Sequence, residues 1–261
     1  MNVGVLSLRF DDARKDTYHV FMDILKKMKI PAVVYVPTGL VEINFSDYKE
    51  VGYNGLMTRQ ELDDLNRELL FEIACHGYMH KNDFDDIKKG KDVLLAWYPN
   101  IKNVGFTSPH SNITKSYVDA NKAVYKELGF SYVMGGRNFD NWRLLKRAVS
   151  WVARKTKSSK VFGLCYDSSM NEKKDFYLYA VPVHKLTTLE QVIYLVERCV
   201  KQKKWLVLEF HGIDTADSKE YQEEFCWLED DFVKLCQHIK DLEIKGKIKI
   251  VNPIDFVCSE G

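Results

Sequence analysis

Two adjacent carboxylates, Asp11 and Asp12, follow a short apolar run near the start of the chain, where packing gives no reason for them. Neighbouring carboxylates repel unless one is neutralised or bound to a cation. Farther on, His76 and His80 stand four residues apart, a spacing that lets two imidazoles converge on one face of a helical turn, as a metal requires. A third polar stop, His211-Gly212, ends the run Trp205 to Phe210. Two histidines and one carboxylate leave positions on a metal open for water and substrate, which is a catalytic rather than a closed structural arrangement. Each fragment alone has an ordinary explanation: a solvated turn, surface histidines, a satisfied strand-end histidine. Their joint occurrence, each at the end of a strand-like run, is much harder to obtain by chance.

These groups need elements to position them. Residues 3–8, 32–36, 71–75, 103–106, 130–134, 177–183, 205–210 and 247–251 read as short strands, because brief apolar runs rich in β-branched residues suit buried parallel strands. Helical periodicity lies between them. Val20, Phe21, Ile24, Leu25 and Met28 share a face, with Pro31 ending that helix. Thr58 and Glu61 form a capping box ahead of Leu62, Leu65 and Leu69. A helix runs from Thr114 to Leu128 up to Gly129, another carries Leu189 to Val200, and a last one lies near 231–240. Such alternation implies a parallel sheet, in a barrel or a doubly wound layer, and the C-terminal strand ends are where catalytic groups collect in either.

Composition sets the outer bounds. With 261 residues, 46% hydrophobic and 29% charged, the chain suits one globular domain, 1–261, rather than a disordered or disulfide-built protein. Lys+Arg 38 against Asp+Glu 37 provides no whole-molecule field to hold nucleic acid. The six cysteines form no C-x-x-C pair and read as buried reduced thiols, Cys199 and Cys236 on apolar helical stripes. No secretory leader or run of about 20 apolar residues is present, so a cytoplasmic location is expected. The segment 135–176 reads as an irregular basic insertion packed on the rest. Within it, residues 137–160 carry eight Lys/Arg against the single acid Asp140. Trp142, Arg143 and Arg147 there are candidates for contact with substrate or an anionic surface.

In order, Phe10-Asp11-Asp12, His76-x-x-x-His80, Ser108-Pro109 and Leu206-Val207-Leu208-Glu209-Phe210-His211 resemble the motifs of the polysaccharide deacetylases, the NodB-homology enzymes of carbohydrate esterase family four. The flanks agree at 24–32 and 62–80, and the resemblance spans roughly 3 to 257. It implies an α/β fold, a single distorted (β/α)7 barrel. It also implies a metal-dependent hydrolase removing an N-acetyl group from an amino sugar. Carried over, the pattern makes Asp11 the general base, Asp12, His76 and His80 the metal ligands, and His211 the general acid. Ser108, Pro109 and His110 fall in the substrate and oxyanion segment, the His110 N–H serving as oxyanion donor. The implied cofactor is one divalent transition metal, zinc first, with cobalt, nickel, iron and manganese suited to the same donors.

Two positions depart from that pattern. The family's third motif has an arginine ahead of the proline that holds the catalytic base, whereas Phe106-Thr107-Ser108-Pro109 has none. The expectation is that another cation, Arg14 or Lys15, orients Asp11, or that the base is less tightly tuned. The fourth motif is only approximated by Asp140-Asn141-Trp142. The expected partner is an N-acetylated amino sugar, nucleotide- or lipid-diphosphate-linked if the enzyme works in the cytoplasm, with peripheral membrane contact as a further option. Hydrolysis of a non-sugar amide on the same barrel, or an inactive carbohydrate-binding relative, are the alternatives.

Overall fold

A computed structural model of the chain describes residues 1–47, 51–137, 143–173 and 175–259, with the backbone alone for 143–147. The expected strands form where short apolar runs can be buried on both faces. They are β1 (Gly4–Phe10), β2 (Ala32–Val36), β3 (Phe71–Cys75), β4 (Val104–Thr107), β5 (Phe130–Met134), β6 (Tyr177–Leu178), β7 (Val181–Pro182) and β8 (Trp205–Phe210). The sheet runs β6-β5-β4-β3-β2-β1-β8-β7, and every pairing along it is parallel. What reads in sequence as one strand, 177–183, is split: β6 pairs with β5, and after Tyr179 and Ala180 the chain pairs with β8 as β7. That single diagonal segment closes the curl, and the result is a distorted (β/α)7 barrel with helices outside.

Part of the distortion lies at β1. Two short strands, β9 (Gly212–Asp214) and β10 (Cys226–Leu228), pair beyond the end of β8. A last strand, β11 (Ile248–Ile250), lies along Gly4 to Leu6, and β2 takes over the same edge of β1 at Arg9 and Phe10. The first seam of the barrel is therefore wedged open at its base and joined at its mouth.

Several helices differ from their sequence reading for identifiable reasons. The helical turns Val20–Leu25 and Lys26–Met28 end at Lys29, a left-handed cap (φ 54), so the stop precedes Pro31. The Thr58 capping box is present on the helix Arg59–Arg67, which buries Leu62 and Leu65, but Leu69 lies past its end and is 99% exposed. The stretch 114–128 is broken at Asn121 into Lys115–Ala120 and Lys122–Glu127. Within 135–176 the described part holds the α-helices Arg143–Lys155 and Ser159–Tyr166. Five cysteines are buried thiols and Cys258 is exposed. No helix among the described residues is long and apolar enough to cross a membrane.

Strand alternation sorts side chains into two layers. One face of β1 gives Leu6, Leu8 and Phe10 to the core beneath the helices. The other face packs inside the barrel, where Val5, Val33, Tyr35, Ala74, Tyr132, Trp205 and Val207 meet. The helix Pro253–Cys258 closes the base, with Phe256 edge-on to Trp205 at 4.9 Å. A carboxylate is sealed in there. Glu72 accepts from the Tyr132 hydroxyl at 2.7 Å and from the Ile254 backbone N–H at 3.0 Å, and Tyr132 in turn shares a 2.6 Å contact with the Tyr35 hydroxyl.

Burial pushes the Glu72 carboxyl from 4.5 up to about 7, with the two hydrogen bonds only partly offsetting it. An acid whose folded value is raised contributes stability that is fully present below the unfolded value and is lost as pH rises through the folded one. The fold should therefore lose stability between pH 4.5 and 7 on Glu72's account, on the order of 3 kcal/mol at most. Buried Asp16, raised to about 6, adds a slope of the same sign. Urea unfolding of Glu72→Gln from pH 5 to pH 8 should show the variant gaining on the wild type as pH rises. A stability difference that does not change with pH would show that Glu72 is not protonated in the fold.

Candidate active site

The three histidine and aspartate motifs meet at the mouth of the barrel. Asp12 follows β1 in left-handed backbone (φ 68), as does Ala13 (φ 50), so the chain turns sharply and sends two consecutive carboxylates different ways. The Oδ1 of Asp12 is 3.1 Å from His76 Nε2 and 3.2 Å from His80 Nε2, and the two imidazole nitrogens are 3.1 Å apart. Atoms bound to one transition metal at 2.0–2.2 Å lie about 3 Å from one another, so this donor set fits one divalent ion. His76 Nδ1–H donates to the Thr107 carbonyl at 3.0 Å, which fixes the tautomer and leaves Nε2 with its lone pair toward the site.

The histidine pair is not carried by a helical turn, as its spacing suggested. His76 is the first residue after β3, and a loop with left-handed backbone at Gly77 (φ 80) and His80 (φ 57) brings the second ring back. Asp86 holds that loop by accepting from the backbone N–H groups of Tyr78, Met79 and Lys81.

Asp11 is held by neither Arg14 nor Lys15. Arg14 is committed to Asp16 at 3.2 Å and Glu220 at 2.6 Å, and Lys15 faces Glu61 at 3.4 Å. The cation is Arg9, two residues before Asp11 on the inward face of β1, with no exposed surface. Its Nε donates to Asp11 Oδ1 at 2.7 Å, its Nη2 to Oδ2 at 2.5 Å, and its Nη1 to the Gly135 carbonyl at 2.8 Å. Burial alone would lower the Arg9 pKa, but Asp11 and then Glu209, 3.4 Å away, more than offset it and raise it. Burial would likewise raise Asp11, yet the Arg9 charge and hydrogen bonds outweigh it and hold that carboxyl below its usual range. Breaking a buried pair of this kind costs about 3–5 kcal/mol, because the remaining charge is stranded.

His211 follows β8 and stands on the other side of Asp12, its Nε2 3.9 Å from Oδ2. Asp11, Glu209 and His211 also gather within 4.8 Å of one another, but Arg9 occupies both carboxylates, so they do not form a second open ligand set. Ser108 and Pro109 are buried; the Ser108 hydroxyl contacts Asn82 Oδ1 at 3.2 Å and accepts from the Ile113 N–H at 3.2 Å, which organises the loop. His110, in left-handed backbone (φ 56), puts its ring 4.5 Å from that of His80. Trp142 lies outside the described residues, as do the side chains of Arg143 and Arg147. Asp140 and Asn141 also lie outside them.

Around these groups is a cleft of about 490 Å³, within the size range of small-ligand sites. Several of its residues are not among the site residues read from the sequence, Glu209, Phe225, His184 and Arg137 among them. Phe225 is 49% exposed and its ring centre is 5.3 Å from that of His211, at the lip of the cleft beside the β9–β10 excursion. Arg9 and Glu209 each stand two residues before a recognised site residue, and that i, i+2 spacing on a strand was a usable signal. Nothing comparable marks Phe225 or His184, which loops bring to the site.

Residues 1–133 match the family model described as Polysaccharide deacetylase. Among solved structures the chain is similar to a Streptococcus pyogenes deacetylase, PplD, in complex with acetate (TM-score 0.40, 20% identity, 49% of this chain and 54% of that one). It is similar also to the BpsB deacetylase domain of Bordetella bronchiseptica (0.39, 19%, 50% and 63%) and to the peptidoglycan deacetylase PdaC of Bacillus subtilis (0.39, 12%, 94% and 96%). The chain thus covers less than two thirds of the first two. No curated protein matches it. The family match extends over half of the chain and takes in Asp11, Asp12, His76 and His80, and on that ground this protein belongs to the polysaccharide deacetylase family.

Proposed function

We propose that the protein is a metal-dependent hydrolase that removes an N-acetyl group from an amino sugar. The observation that carries this reading is the meeting of Asp12, His76 and His80 within about 3 Å beside a second carboxylate, Asp11, anchored separately by Arg9. Two neutral imidazoles and one carboxylate suit zinc first, and also cobalt, nickel, iron or manganese. A divalent metal held there would lower the pKa of a water and polarise the acetamide carbonyl.

The remaining roles belong to the chain's own groups. Asp11, ionised and fixed through both oxygens, accepts the proton of the attacking water, which requires a carboxylate close to the metal ligands but not among them. The His110 N–H donates to the carbonyl oxygen as negative charge develops on it. His211, on the far side of Asp12, donates a proton to the departing amine, without which nitrogen leaves poorly. Phe225 offers the face of a half-exposed ring next to that histidine, suited to the apolar face of a sugar. Arg9 is a positioning residue, and its grip on Asp11 supports an active enzyme over an inactive relative, since the base does have an arginine, supplied by β1.

Acetate release from N-acetylglucosamine oligomers, measured beside metal content, tests the reading. The wild type should carry about one equivalent of transition metal, and His76→Ala should lose both metal and activity. Asp11→Asn should keep the metal while turnover falls by ~10²–10⁴. Arg9→Lys keeps the charge but not the two-point grip, and should lower kcat by roughly 10–10² with metal content unchanged. Absence of metal in wild-type protein reconstituted with zinc would refute the proposal.

A further inference from the structure

The side of the cleft near β7 contains groups that deacetylation does not use. Arg137 and His184 both line it. Behind them, Arg154 comes from the helix Arg143–Lys155 and is only 6% exposed. Arg137 Nη1 and Arg154 Nη2 donate to one and the same acceptor, the Tyr166 hydroxyl, at 3.2 and 2.9 Å. The other bonds of Arg154 go to the Thr187 hydroxyl at 3.2 Å and the Pro182 carbonyl at 3.1 Å. All three acceptors are neutral, and no carboxylate among the described residues pairs with this buried guanidinium. Buried cations are ordinarily paired.

His184 shares this neighbourhood. Its Nδ1 is buried without a hydrogen-bond partner. Burial, followed by the charges of Arg154 and Arg137, pushes its pKa down to about 3, so the ring is neutral at pH 7 and has hydrogen-bonding capacity to spare. Burial with Arg137 alongside also lowers Arg154 from its usual value. In both cases burial is the larger cause, and the neighbouring positive charges act in the same direction. The acids on the floor of the cleft do not neutralise these charges, since Asp11 and Glu209 are turned to Arg9; Glu224 lines the cleft on the His184 side, where its backbone carbonyl accepts from the Lys185 N–H, and it is not among the charges that shift His184.

We propose that Arg137 and His184, with Arg154 held behind them through the Tyr166 hydroxyl, form a subsite for an anionic substituent on the amino-sugar substrate, a phosphate or a carboxylate. The subsite rests on the deacetylase reading for the sugar but not for the anion. A planar guanidinium takes either oxyanion through paired hydrogen bonds, and a neutral imidazole adds a donor without adding charge. An incoming anion supplies the opposite charge that no carboxylate among the described residues gives Arg154, so the local positive charge favours a charged substrate over a neutral one.

Calorimetric titration of the metal-loaded protein with three probes separates the cases: UDP-N-acetylglucosamine for phosphate, N-acetylmuramic acid for carboxylate, and chitobiose as the neutral control. Acetate release is followed in parallel. One anionic probe should bind at least tenfold more tightly than chitobiose, less so at high salt, and which one identifies the source of the anion. Arg137→Ala should abolish that preference, Arg137→Lys should keep part of it, and His184→Gln gives an independent variant on another segment. Equal binding of all three probes, or a uniform loss for all three in Arg137→Ala, overturns the subsite even if acetate is released. An Arg137-dependent preference without acetate release from any probe supports the subsite and counts against the deacetylase reading instead.

Discussion

A guanidinium with no exposed surface sits between two carboxylates at the mouth of the barrel, and most of what the site can do depends on it. Taking an ion out of water costs several kcal/mol, roughly, even after relaxation. Arg9 meets that cost with two hydrogen bonds to Asp11, one to the Gly135 carbonyl and the nearby Glu209. In return it keeps Asp11 ionised inside the protein and out of the candidate ligand set, although Asp12 is the very next residue. Its Nη2 also reaches the Ser111 hydroxyl at 3.2 Å, so the loop after β4 is tied to the same cation. Strands β1 and β8 and the segments after β4 and β5 are thereby held together by one side chain.

Below Arg9 the barrel interior is unusually polar. The Arg9 guanidinium lies 5.5 Å from the centre of the Tyr35 ring, Tyr35 meets Tyr132, and Tyr132 meets Glu72, which the Ile254 N–H closes off at the base. Each hydroxyl in this column is satisfied by the next group, as burial demands. The column sets the volume that strands β2, β3 and β5 must leave between them. Gly105 on β4 fits this crowding, since a Cβ there would come within 2.0 Å of the Tyr132 ring.

Much of this was legible before the fold. The buried strands were readable because uninterrupted Val, Ile and Leu runs have few other uses, and the ligand triad because its residue types and order are chemically specific. Arg9 is hard to read from the sequence, because an arginine beside an Asp-Asp pair fits a solvated turn equally well. Only the strand register shows that Arg9 and Asp11 share an inward face, where an unpaired charge is untenable. Lys29 stops its helix before Pro31 and Asn121 splits the stretch 114–128, because left-handed caps and mid-helix breaks leave the hydrophobic spacing intact. His184 and Phe225 reach the cleft through long-range chain routing that no local pattern encodes.

The barrel closes through one narrow segment, β6 and β7, which follows directly on the helices Arg143–Lys155 and Ser159–Tyr166. All three candidate ligands and the candidate base lie within the first 80 residues, just after β1 and β3, and the family match ends at residue 133, before those helices begin. The candidate ligands and base on the one hand, and the proposed Arg137 and Arg154 of the anion subsite on the other, are thus carried by different stretches of chain. The stretch between β5 and β6 can lengthen, shorten or exchange its charges so long as it delivers two residues to each neighbouring strand. A lineage could then change which acetylated molecule it accepts while the water-activating centre stays as it is, and divergence would accumulate on one wall of the cleft only.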